Sequence, residues 1–94
     1  MKLTDYMDAI NAQLEVTRYA CQNERWTASF DDCEVKDSGC LASIYGTGTD
    51  PYSAIADYVR QIVGKKIVFG AMRSDARREL VVPEHLTGIE REGA

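Results

Sequence analysis

Residues 46–64, GTGTDPYSAIADYVRQIVG, carry the signals of a capped amphipathic helix, and the rest of the chain must supply its partner surface. Asp50 is an N-cap whose carboxylate accepts from the free first-turn amides. Pro51 follows at the first helical position, where its missing N–H leaves no bond unmade. Ala54, Tyr58 and Ile62 recur at i, i+4 and i+8. Ile55, Val59 and Val63 repeat that spacing one step on, so two adjacent rows form one apolar face. Gly64 supplies the left-handed residue that closes such a helix. The spacing predicts a helix over 50–63.

The partner surface reads as sheet. Thr4 caps a short helix over 5–12, with Leu3, Met7 and Ile10 in one stripe. From Leu14 the period changes to two: Leu14, Val16 and Arg18 alternate with Glu15, Thr17 and Tyr19. Residues 21–24 make a polar hairpin loop. Arg25–Phe30 is the second strand, with Trp26, Ala28 and Phe30 on one face and Arg25, Thr27 and Ser29 on the other. Asp31-Asp32 marks a bulge, after which Cys33–Lys36 resumes the alternation. A turn at Asp37-Ser38-Gly39 leads to a third strand, Cys40–Tyr45. Lys65–Phe69 and Arg77–Val82 follow the main helix as fourth and fifth strands, the last ended by Pro83. Trp26 and Tyr45 read as core. The expected fold is α+β: an antiparallel sheet of four to five strands, the 50–63 helix packed on one face, and a short N-terminal helix. Ninety-four residues make one domain, divided into a helix (1–13) suited to an oligomer contact, a core (14–83) and a tail or short extra turn (84–94). So thin a core gains from oligomerisation.

Charge is unevenly spread. Residues 1–59 hold four basic and ten acidic groups, whereas 60–81 hold six basic (Arg60, Lys65, Lys66, Arg73, Arg77, Arg78) against Asp75 and Glu79. A net charge of −4 makes a poor general nucleic-acid binder. Double-stranded RNA domains share the α–β–β–β–α order but open their second helix with lysines, and this helix opens DPYSA. A local group of cations still suits a small phosphorylated ligand. There is no apolar run of membrane-spanning length, and Asp5 and Asp8 stand where a secretion signal needs apolar residues. Three cysteines at unmatched spacings fit reduced thiols in a cytoplasm.

No catalytic constellation is visible. Cys33, Cys40 and the lone His85 fit no zinc spacing. Asp31 and Asp32 are adjacent on a strand and point to opposite faces, so they cannot flank one bond. The chain reads as a non-enzyme without cofactor or metal. Gly46-Thr47-Gly48 before a helix resembles a phosphate loop only weakly, because Asp50 competes for the same amides. The hydroxyls of Thr47 and Thr49 and the ring of Tyr52 keep that end a candidate. Phe69 with Lys66, Arg73, Arg77 and Arg78 brackets another, where guanidiniums hold phosphates beside an aromatic ring. Arg77 and Arg78 face opposite ways on their strand.

Two families share parts of this pattern. The run W-x-A-S-F (Trp26–Phe30), then Y-G-x-G-x-x-P-x-x-A-I-x-x-Y (Tyr45–Tyr58), resembles the small β–β–β–α–β domain of HicB-type antitoxins, but without the glutamate before Ala54 and without an added DNA-binding domain. That resemblance implies a protein–protein inhibitor module. The aromatic strand, Tyr45-Gly46-Thr47-Gly48, Ile62–Phe69 (IVGKKIVF) and Arg77–Pro83 (RRELVVP) are similar, over roughly residues 14–83, to the phage anti-Thoeris sponges that sequester cyclic ADP-ribose signals. This second resemblance implies a non-enzymatic sponge in the host cytoplasm that blocks anti-phage defence. It implies a homo-oligomer, a dimer or a hexamer joined through the N-terminal helix, with cyclic oligonucleotides as a second ligand class. It implies Arg77 or Arg78 on phosphate and Tyr52 or Phe69 stacked on the base; Thr47, Gly48, Thr49, Lys66 and Arg73 complete the set of ligand-binding candidates, and neither duplex nucleic acid nor a membrane is expected as a partner.

Overall fold

The computed structural model describes residues 1–19, 25–72, 75 and 77–89. In chain order the elements are α1 (Leu3–Ile10), β1 (Leu14–Tyr19), β2 (Arg25–Phe30), β3 (Cys33–Asp37), β4 (Cys40–Ala42), β5 (Gly46–Gly48), α2 (Pro51–Ile62), β6 (Lys66–Phe69) and β7 (Arg78–Val81). The fold is α+β and every strand pairing is antiparallel. The expected single sheet is instead two: β1-β2-β5 and β4-β3-β6-β7. Besides α2, which leads from β5 to β6, two chain segments cross between them. At Asp31-Asp32 the expected bulge is a corner, with Asp32 left-handed (φ 54°), so β2 and β3 belong to different sheets. The expected third strand, 40–45, ends at Ala42, and the chain re-enters a strand only at Gly46, in the other sheet. Both corners keep the alternation of residue types, which is why the local pattern looks continuous.

Helix α2 forms where the caps place it. The Asp50 carboxylate accepts from Ser53 N–H (2.9 Å) and Ser53 Oγ (3.2 Å), and Gly64 takes φ 73° just past the C-cap Val63. Ala54, Ile55, Tyr58, Val59 and Ile62 are all buried. They share one core with Ala28 and Phe30 of the first sheet and Val35, Ile67 and Phe69 of the second. Phe30 is its hub: it meets the Tyr58 ring edge-on at 5.4 Å and Phe69 at 6.0 Å.

Helix α1 starts earlier than its sequence suggests, at Leu3, and Lys2 at its cap position makes no side-chain bond. Its first amide is satisfied from across the chain. Leu3 N–H donates to the Thr87 carbonyl (2.8 Å) and Thr87 N–H to the Met1 carbonyl (2.9 Å), in a parallel bridge of Lys2 with Thr87. That tertiary partner replaces the expected Thr4 cap. Residues 84–89 therefore pack on the body, with Leu86 buried. Leu3 and Tyr6 lie in the core of their own chain.

The tightest packing is between α2 and β5. A Cβ built on Gly46 would collide with the Ala54 carbonyl oxygen and the Tyr58 amide, and would stand 2.8 Å from Tyr58 Cα. On Gly48 it would meet Ser53 Cβ at 2.6 Å and Ala54 N at 2.7 Å. These atoms are mostly helix backbone and have nowhere to move. Gly46→Ala is expected to cost about 3 kcal/mol or more by forcing α2 off the sheet. Urea unfolding monitored by circular dichroism reads this as a lower midpoint. The Tyr6 hydroxyl is buried with no partner among the described residues, and burial raises its pKa. Tyr6→Phe removes that orphan and is expected to raise stability by about 1 kcal/mol in the same measurement.

Candidate functional site

Because strands alternate, covering one face of the three-stranded sheet leaves the other free. Helix α2 covers the side carrying Trp26, Ala28, Gly46 and Gly48. The opposite side is an open cleft of about 540 Å³. The register arranges it in rows. Thr17, Thr27 and Thr47 cross the middle, Tyr19 pairs with Arg25 at one end, and Glu15 pairs with Ser29 at the other. Tyr45, one residue before β5, lines the cleft beside the Glu15 end. A second hollow of about 330 Å³ shares Arg25 and Thr47 and adds Gly48 and Thr49, so the groove continues past the Arg25 end. Tyr19 and Tyr45 are 51% and 57% exposed, presenting two aromatic rings to solvent at diagonal corners. Tyr45 is thus not core. It follows the break after Ala42, outside both sheets, where nothing packs over it.

Side chains of α2 hold the β5 margin of this cleft. Strand β5 pairs only with β2, so its far edge needs other hydrogen-bond partners. Thr47 N–H donates to Asp57 Oδ2 (3.0 Å), and Gln61 Nε2 donates both to the Tyr45 carbonyl (3.1 Å) and to Asp57 Oδ2 (3.1 Å). Arg60 adds a bond to Asp57 Oδ1 (3.1 Å). The helix thereby does the work of a missing strand and fixes the backbone that carries Tyr45 and Thr47. The Thr47 amide, with Arg60 and Gln61, holds the Asp57 carboxyl below its ordinary value of 3.8.

The sequence-derived candidates fall into two groups. Thr47, Gly48 and Thr49 converge on Arg25. Tyr52 is in the first turn of α2, close by in sequence and 37% exposed. Lys66, Phe69 and Arg78 belong to the other sheet, and Arg77 stands one residue before its last strand. There Phe69 is only 6% exposed, packed between Phe30 and the Arg78 guanidinium, which stands 4.9 Å over its ring. Arg78 also donates to the Ile10 carbonyl (2.8 Å), tying α1 to β7. Arg77 and Lys36 both pair with Glu79 at 3.2 Å, and Lys36 foremost keeps the Glu79 carboxyl ionised to lower pH. Arg73 lies outside the described residues. Glu15, Thr17, Tyr19, Arg25, Thr27, Ser29 and Tyr45 are cleft residues that sequence reasoning did not select. The available signal was the polar face of Arg25, Thr27 and Ser29 beside that of Glu15, Thr17 and Tyr19.

Burial pushes the Cys33 thiol up to about 11, aided by Asp32 and Glu34, so it stays protonated at neutral pH. Among the described residues no group of three or more His, Cys, Asp or Glu side chains is placed to hold a metal ion, and no helix is long and apolar enough to cross a membrane. Asp50 occupies the N-terminal amides of α2, so an anion there would have to displace it. In comparisons with known proteins, no family model matches the chain, and no curated protein or solved structure matches it significantly.

A folded-state pKa held below its unfolded value gives stability that is complete above that value and is lost as pH falls through the folded one. As pH falls below about 4 and through the lowered pKa of Asp57, the melting temperature is expected to fall. Asp57→Asn keeps an acceptor for Thr47 but cannot titrate, so its melting temperature is expected to fall less over the same range.

Proposed function

We propose that the protein is a non-enzymatic sponge that binds a cyclic ADP-ribose-type signal nucleotide in the open cleft and holds it unchanged. The observation that supports this reading most is the pairing, on one sheet face, of a guanidinium (Arg25) with two solvent-facing tyrosines (Tyr19, Tyr45) and a row of threonine hydroxyls. A guanidinium holds phosphate oxygens, an aromatic ring stacks a base, and hydroxyls serve sugar and phosphate alike. The protonated Cys33 thiol favours binding over turnover. Thr47, Gly48 and Thr49 extend the phosphate end, with Tyr52 close by in sequence. Phe69, Arg77 and Arg78 are engaged in holding the second sheet and α1 together, and Lys66 lies on that sheet away from the cleft. In this reading the chain is phage-encoded, acts as a homo-oligomer in the host cytoplasm and deprives anti-phage defence of its signal, with cyclic oligonucleotides as a further ligand class. The resemblance to anti-Thoeris sponges and the small core agree with it.

A second reading, an inhibitor module of the HicB type without a DNA-binding domain, is favoured by β1. That six-residue strand stands at the edge of its sheet with five exposed residues, which suits strand addition by a partner protein.

Titration calorimetry with cyclic ADP-ribose separates the two. The sponge reading expects binding, recovery of intact ligand after heating, and a loss of about tenfold or more in affinity for Arg25→Ala and for Tyr45→Ala. Absence of binding, or affinity unchanged in both variants, overturns it.

A further inference from the structure

Resting on the reading of the cleft as a nucleotide site, we propose that Glu15 accepts hydrogen bonds from a free ribose cis-diol and thereby excludes ligands carrying a 2′-phosphate. The cleft has two ends of opposite character. Tyr19 and Arg25 pair across β1 and β2 at one, Glu15 and Ser29 at the other. Four residues of strand, roughly 13 Å, separate them. Arg25 and Glu15 are therefore too far apart to neutralise one another directly across the face, and among the described residues no hydrogen bond or ion pair engages the Glu15 carboxylate. It is exposed at the cleft wall, at the same end as Tyr45 and across β2 from it.

An ionised carboxylate only accepts hydrogen bonds, and its two oxygens match two vicinal hydroxyls. Dinucleotide-binding sites use an acidic residue in this way on the ribose diol. With phosphate drawn to Arg25 at one end of the cleft, a ribose attached to it extends along the face toward the other end, where Glu15 stands across from Ser29. A 2′-phosphate there would bring a dianion against the carboxylate and would leave no donor to satisfy it. Glu15 is then a specificity-determining residue. It reads the sugar, while Arg25 reads the phosphate common to both ligands.

The test compares cyclic ADP-ribose with its 2′-phosphorylated counterpart by titration calorimetry, for the unaltered protein and for Glu15→Gln. The glutamine keeps one acceptor, adds a donor and removes the charge, and the exposed position leaves folding unaffected, which a melting curve checks. The unaltered protein is expected to prefer the free diol by roughly tenfold or more, and Glu15→Gln to narrow that ratio by a comparable factor. A ratio near one in the unaltered protein, or a ratio unmoved by Glu15→Gln while binding persists, overturns this inference and leaves the nucleotide reading standing. Failure of the unaltered protein to bind either compound overturns both.

Discussion

The contact on which the rest of the structure depends is the close approach of α2 to the glycines of β5. Only hydrogen at Gly46 and Gly48 lets the helix backbone come this near the strand. At that distance Asp57 and Gln61 reach the β5 edge and complete its hydrogen bonding. A three-residue strand is too short to hold its place by ladder bonds alone. Locked under α2, it becomes a firm margin of the first sheet and holds Tyr45 and Thr47 toward the open side. The hydrophobic face of the helix then joins both sheets through Tyr58 and Phe30.

This arrangement sorts the charges. Of the basic stretch of the sequence, Lys66 and Arg78 lie on the second sheet with Arg77 beside it, and two of these serve structure: Arg78 bridges α1 and Phe69, and Arg77 shares Glu79 with Lys36. Such exposed pairs contribute little individually. Their consequence is more that Arg77 and Arg78 are engaged elsewhere. A single arginine from the acidic half of the chain, Arg25, faces the cleft instead. One guanidinium on a face with two exposed rings is a modest electrostatic feature, and it suits a compact phosphorylated ligand better than a polyanion.

Helix α2 was legible because its signals are local: Asp50, Pro51, the two apolar rows and Gly64 all act within one or two turns. The alternation of β2, and hence the polar face of Arg25, Thr27 and Ser29, was legible for the same reason. The corner at Asp31-Asp32 was not. A bulge and a change of sheet begin with the same residues, and only the non-local pairing of β3 with β6 distinguishes them. Tyr45 looked like core because aromatic residues in strands usually are, whereas its exposure follows from the break after Ala42. The start of α1 depends on Thr87, more than eighty residues away. The site itself followed this pattern: Thr47 and Thr49 were accessible to local reasoning, while the partnership of Glu15, Tyr19 and Arg25 required the register of β1 on β2.

The most direct test is chemical-shift mapping by nuclear magnetic resonance as cyclic ADP-ribose is added to the labelled protein. The account predicts that perturbed amides cluster on the open face of the first sheet, at Glu15, Tyr19, Arg25, Thr27, Tyr45 and Thr47, with β6 and β7 undisturbed. Perturbations centred on Lys66, Arg77 and Arg78, or none at saturating ligand, would contradict it.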